Sequence, residues 1–208
     1  MKNILFVFLL TSFMSYSQQE YKPVNDIKVL EERLNESSKK IHTIKSDFTQ
    51  EKHLAYLNET IESEGKFWFK KENQLRWEYQ TPFEYIIVLN NGKFIIKDED
   101  KTSEYDVASN KAFREVNDLI ISSVKGDLLK EDKFNILAFK NAKSYLIKLT
   151  PKDPEMAKVL HKIELYFNIS DLDIFKVKMI ENEDDFTIIN FVNRKLNAEI
   201  SPDIFNIN

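Results

Sequence analysis

From Ser46 to Lys97 the chain alternates apolar and polar residues with little interruption: SDFTQEKHL, ESEGKFWFKK, LRWEY, YIIVL and GKFIIK follow one another across short polar breaks. A period of two sends successive side chains to opposite faces of a sheet. Five such runs joined by breaks this short can pair only as antiparallel neighbours, because a parallel return needs a long crossover. This stretch therefore commits the chain to an antiparallel sheet.

The alternation places strands around 45–53, 59–71, 74–80, 84–90, 93–98 and 102–107. Asn90-Asn91-Gly92 is a hairpin signal, since Asn and Gly tolerate the positive φ of tight turns. Asp98-Glu99-Asp100-Lys101 reads as a second turn. Further strands are expected around 133–140, 144–151, 161–168, 173–181 and 185–193, about eleven in all. Pro151-Lys152-Asp153-Pro154 opens a loop or helical turn, and Ser201 to Phe205 reads as a last extended piece.

Two segments break the period of two. Asn25 to Ile44 reads as a helix capped by Asn25 or Asp26, with Ile27, Leu30, Leu34 and Ile41 on one face. Within 112–130, Phe113, Val116, Leu119, Ile120 and Val124 recur at helical spacing, and Gly126 can end the segment. The expected fold is thus mainly β (α+β), a curved antiparallel sheet or barrel with helices packed on one face. No internal repeat or low-complexity linker divides it.

The N-terminal residues have the order of an export signal. Lys2 is the positive start, Ile4 to Phe13 is an apolar run too short to span a bilayer, and Ser15 and Ser17 are small residues before a cut. The expectation is a cleavable signal peptide over 1–17 and one domain over 18–208. Cysteine is absent, so neither disulfides nor an N-terminal lipid thioether is available. The net charge is −4, and removal of Lys2 with the signal leaves about −5. An acidic chain without a basic cluster disfavours nucleic acid and anionic membrane surfaces as partners.

Catalytic constellations are missing from the sequence. His42, His53 and His161 stand far apart without metal-ligand spacing, and the acidic turns lack the glycine and register of a calcium loop. The chain contains no Cys nucleophile, no Gly-x-Ser-x-Gly elbow and only 3 glycines for a phosphate loop. The expectation is a non-enzyme without metal or cofactor. The aromatic residues say more. In Gly65–Lys71, Phe67 and Phe69 share a face opposite Trp68. Leu75, Trp77 and Tyr79 share another, opposite Arg76 and Glu78, while Tyr85–Leu89 is apolar on both faces. Such a lining suits a filled core or a cavity for acyl chains equally well.

The runs Phe48-Thr49-Gln50, Gly65 to Lys71, Leu75-Arg76-Trp77-Glu78-Tyr79, Pro82 and Gly92-Lys93 together resemble the LolA-like periplasmic lipoprotein carriers over nearly the whole mature chain. The resemblance implies an incomplete, strongly curved antiparallel barrel of about eleven strands with helices as a lid over its open side. It implies a soluble periplasmic carrier that shields the acyl chains of lipoproteins between the inner and outer membranes. The implied partners are acylated cargo, an inner-membrane ABC transporter and an outer-membrane acceptor, and a shuttle of this kind is most simply a monomer. Leu75 and Trp77 match cavity-wall positions of the family. Phe67, Phe69, Tyr79, Ile87 and Leu89 are assigned to the same wall, and Leu30, Leu34, Leu119 and Ile120 to the lid helices. The family often carries Arg-Pro after the Phe-Trp-Phe strand, where the Arg latches the lid; this chain has Lys71-Glu72, so Lys71 is the candidate latch. That departure motivates a second reading, a carrier dedicated to another amphiphile, such as a glycolipid or lipid-linked pigment; a β-module whose aromatics only fill a core is the other alternative.

Overall fold

The structure, a computed structural model, describes residues 20–71, 73–99, 101–106 and 133–207. Among them stand twelve strands: β1 (Lys22–Pro23), β2 (Thr43–Leu54), β3 (Glu59–Lys70), β4 (Gln74–Thr81), β5 (Tyr85–Asn90), β6 (Lys93–Asp98), β7 (Lys101–Asp106), β8 (Phe134–Lys140), β9 (Ser144–Pro151), β10 (Lys162–Asn168), β11 (Ile174–Ile180) and β12 (Phe186–Leu196). Two helices accompany them, α1 (Ile27–Lys39) and α2 (Pro154–Val159). The export signal expected over 1–17, Glu72 and the helix expected within 112–130 lie outside the described residues.

All twelve strands form one antiparallel sheet in the order β1-β8-β9-β10-β11-β12-β2-β3-β4-β5-β6-β7. The sheet is not closed: β1 and β7 are its two edges. It consists of two meanders, β2–β7 and β8–β12, fused where the last strand pairs with the first of the other meander. That seam joins residues far apart in the chain. Phe191 faces Phe48, Ile189 faces Gln50, and Ser46 Oγ donates to the Val192 carbonyl at 2.8 Å.

Eleven strands were expected; the twelfth is the two-residue β1, which pairs with Lys140 and Phe139 of β8. A segment so short carries no alternation to read. The Asn90–Gly92 hairpin forms, with Asn91 and Gly92 both at positive φ (50° and 76°). Helix α1 begins as expected, Asp26 accepting from the Val29 amide at 3.2 Å, but it ends at Lys39 rather than Ile44. Asn197 (φ 55°) holds the turn that follows: its side chain accepts from the His42 amide and donates to the Lys40 carbonyl. Ile41 therefore leaves the helix and packs elsewhere.

The tail is also different from the expected extended piece. Pro202–Phe205 is a 3-10 turn, with Pro202 at the first position, where a missing N–H costs nothing. It lies on the outer face of β4 and β5. Arg76 Nη1 donates to the Ile204 carbonyl and Asn90 Nδ2 to that of Phe205. Phe205 and Val88 are completely buried. This cover explains why Tyr85–Leu89 is apolar on both faces.

Candidate functional site

The register carries one face of the sheet without interruption from β8 to β6. Ala138, Ile147, Leu165, Val177, Ile189 and, across the seam, Gln50 lie in one row. Farther on, Ser46, Phe67, Trp77, Ile87 and Ile96 form another. Two apolar clusters divide this face. The first joins Leu30 and Leu34 of α1 to Phe134, Ala138, Tyr145, Ile147, Leu149, Ile163, Leu165 and Phe167. The second gathers Ile41, Ile44, Phe48, Phe67, Phe69, Leu75, Tyr79, Leu89, Phe94 and Ile189, with Trp77, Tyr85, Ile87, Ile96, Met179 and Phe191 packed against them. None of these residues belongs to α1 or α2.

All seven residues assigned to a wall thus come together in the second cluster. They differ in depth. Phe69 and Leu75 are 1% and 2% exposed, and Phe67, Leu89 and Tyr79 are also buried. Trp77 and Ile87 are half-buried. Leu30 and Leu34 do not join them; they seal the other end of the face, in the first cluster. Leu119 and Ile120 lie outside the described residues. Lys71 meets α1: its Nζ donates to the Lys39 carbonyl at 2.8 Å and its amide to the His42 carbonyl at 2.8 Å. An ammonium at the C-terminus of a helix is electrostatically favourable there.

Trp77 stands at the centre of an aromatic group. Its ring lies 5.0 Å from Phe48, 5.0 Å from Phe67, 6.0 Å from Phe191 and 6.4 Å from Tyr79. The three phenylalanine contacts are edge or tilted, which suits the ring quadrupoles, while Tyr79 lies stacked at an interplanar angle of 25°. Tyr79 stacks on Tyr85 at 4.1 Å and donates its hydroxyl proton to Gln50 Oε1 at 2.9 Å. Burial, with Tyr85 alongside, raises the Tyr79 phenol well above its ordinary value, so it stays neutral. Burial also raises Tyr85. Phe48, Ile189 and Phe191 were not assigned to the wall from sequence. The alternation Thr187, Ile189, Phe191 was visible, but only the β12–β2 seam brings it here.

Beside α1, a cavity of about 350 Å³ is bounded by Val24, Asp26, Leu30, Arg33, Lys140 and Tyr145. Arg33 Nη1 donates to the Tyr145 hydroxyl at its margin. Among the described residues no group of three or more His, Asp or Glu could hold a metal ion, and no helix is long and apolar enough to cross a membrane.

The site is thus a half-covered aromatic wall on an open antiparallel sheet. Residues 39–208 match the family described as outer membrane lipoprotein carrier protein LolA, and the chain belongs to that family. No curated protein matches it. Among solved structures, a conserved protein from Thermus thermophilus is similar at 8% identity and TM-score 0.53, over 88% of this chain and 95% of that one. MucB is similar at 10% identity and TM-score 0.52, over 88% of this chain and 64% of that one. A LolA superfamily protein from Nitrosomonas europaea is similar at 9% identity and TM-score 0.44, over 85% and 97%. At such identities the likeness is one of fold.

Proposed function

We propose that the protein is a soluble periplasmic carrier that lays the acyl chains of lipoproteins against the second cluster and conveys them from the inner to the outer membrane. The observation that carries this reading is the row of half-buried apolar side chains on that cluster: Trp77, Tyr85, Ile87, Ile96 and Phe191. Removing an acyl chain from water is worth about 0.8 kcal/mol per CH₂. A wall without directional bonds holds such a chain and lets it slide out. The deeply buried residues, Phe69 and Leu75 foremost, serve as the floor beneath the contact surface. An inner-membrane ABC transporter as donor and an outer-membrane acceptor complete the route. Lys71, bonded to the end of α1, is the latch between sheet and helix.

A second reading rests on the same lysine. Where the family often has Arg-Pro, this chain tethers α1 through one ammonium, without the planar fork of a guanidinium. A latch built in this way fits a carrier dedicated to another amphiphile, such as a glycolipid or lipid-linked pigment.

Native mass spectrometry of the mature protein, purified from the periplasm without detergent, tests both. A co-purifying lipoprotein supports the general carrier, and a different lipid of defined mass the dedicated one. An empty protein that also refuses a fluorescent fatty acid would leave a β-module with a filled core.

A further inference from the structure

Trp77 presents a donor for which the protein supplies no acceptor. Its Nε1 is the one buried side-chain nitrogen or oxygen among the described residues that lacks a hydrogen-bond partner. An indole N–H can only donate. Burying it unpaired is costly, and buried polar groups in folded proteins are nearly always satisfied. Phenylalanine would fill an aromatic cluster without that cost. The neighbours do not relieve it. Phe48, Phe67 and Phe191 have no side-chain acceptor, and the Tyr79 hydroxyl, which donates to Gln50, does not accept from Trp77.

The missing acceptor has a definable chemistry. The register sets Phe67 and Ile87 across from Trp77, and among the described residues of β3–β5 the positions next to it on this face, Gly65, Phe69, Leu75, Tyr79, Tyr85 and Leu89, include no Lys, Arg or His. A phosphate or carboxylate would therefore be desolvated there without a counter-charge. A neutral carbonyl attached to an apolar chain carries no such penalty. We propose that Trp77 Nε1 donates to the carbonyl of the ester or amide linkage at the head of a bound acyl chain. The site then reads the linkage as well as the hydrocarbon. This rests on the carrier reading above and deepens it.

The test compares dioctanoyl phosphatidylcholine with its dioctyl ether analogue, which keeps chains and headgroup but lacks both carbonyls. The chain has 2 tryptophans, so ¹⁵N-indole NMR resolves Trp77 against Trp68, which lies on the opposite face as an internal control. The ester lipid is expected to bind about tenfold tighter, as for one hydrogen bond gained by a buried donor. Only the ester lipid is expected to move the Trp77 indole proton downfield, with Trp68 still. In Trp77→Phe the preference for ester over ether should vanish, the two lipids then binding equally well. Equal affinities for the two lipids with an unmoved Trp77 resonance, or an ester preference that survives Trp77→Phe, overturn the linkage role and leave the carrier standing. Binding of neither lipid to the unaltered protein overturns the carrier reading and this inference with it. The comparison on the unaltered protein decides the matter even if the variant does not fold.

Discussion

Gly65 shows how one residue sets the wall. It sits in β3 opposite Phe48 of β2, next to a register shift against β4. A Cβ there would collide with the Glu78 carbonyl oxygen and approach two atoms of the Phe48 ring to 2.8 Å. The Phe48 ring lies across the bare glycine, 5.0 Å from both Trp77 and Tyr79. Gly65→Ala should destabilise the fold by about 3 kcal/mol, as overpacking against backbone does, and should shift the urea midpoint accordingly. The motif around Gly65 was legible in sequence, but the reason for glycine was not, because the atoms that exclude a side chain come from two neighbouring strands. Tyr79 gives a prediction in pH. Its phenol titrates higher in the folded protein than in the unfolded chain, because burial and Tyr85 oppose its ionisation. The stability it contributes is complete below about pH 10 and is lost as pH rises beyond it. For this group the slope approaches about 1.4 kcal/mol per pH unit. Urea unfolding followed from about pH 8 to about pH 11 should show that decline, and Tyr79→Phe should make it shallower, the rest belonging to the other raised phenols, Tyr85 and Tyr166.

At the level of elements, the strands were readable and the pieces that pin them were not. Alternation over six to twelve residues records burial on one face, so β2 to β6 and β8 to β12 fall near where the pattern places them. Helical periodicity carried α1 too far, because Ile41 and Ile44 are apolar for the sake of the second cluster and not of a helix face. What stops the helix is a side chain from residue 197, beyond any local window. The C-terminal turn is a similar case. Its sequence, Ser201-Pro202-Asp203-Ile204-Phe205, gives no sign that Arg76 and Asn90 will bind its carbonyls. Phe205 is wholly buried against the outer face of strands whose inner face is the candidate wall. Phe205→Ala should therefore cost about 3–5 kcal/mol, the range for truncating a buried Phe. Calorimetry should show the loss as a lower melting temperature, whether or not lipid is present.

Across the whole molecule, the two clusters share one continuous face but have different covers. At the β8–β11 end α1 presses Leu30 and Leu34 onto the sheet, leaving a cavity of about 350 Å³ beside Leu30 and Tyr145. At the β2–β6 end neither described helix contributes, and Trp77, Tyr85 and Ile87 stay half-buried. The sequence showed the aromatic faces yet left cavity and filled core equally open, because alternation records that a face is covered and not by what. This division predicts that two neighbours assigned to the same wall will respond differently to the same substitution. Leu75 is 2% exposed and lies in the floor, so Leu75→Glu buries a carboxylate among apolar side chains. The cost is several kcal/mol, enough to unfold a protein of ordinary stability. Trp77 reaches the half-covered surface, where a glutamate can turn toward water. Trp77→Glu should retain the β-sheet circular dichroism and a cooperative melt, yet lose uptake of a fluorescent fatty acid. If Trp77→Glu binds the fatty acid as the unaltered protein does, the wall is not the binding surface. If Leu75→Glu folds and Trp77→Glu does not, floor and surface have been assigned the wrong way round.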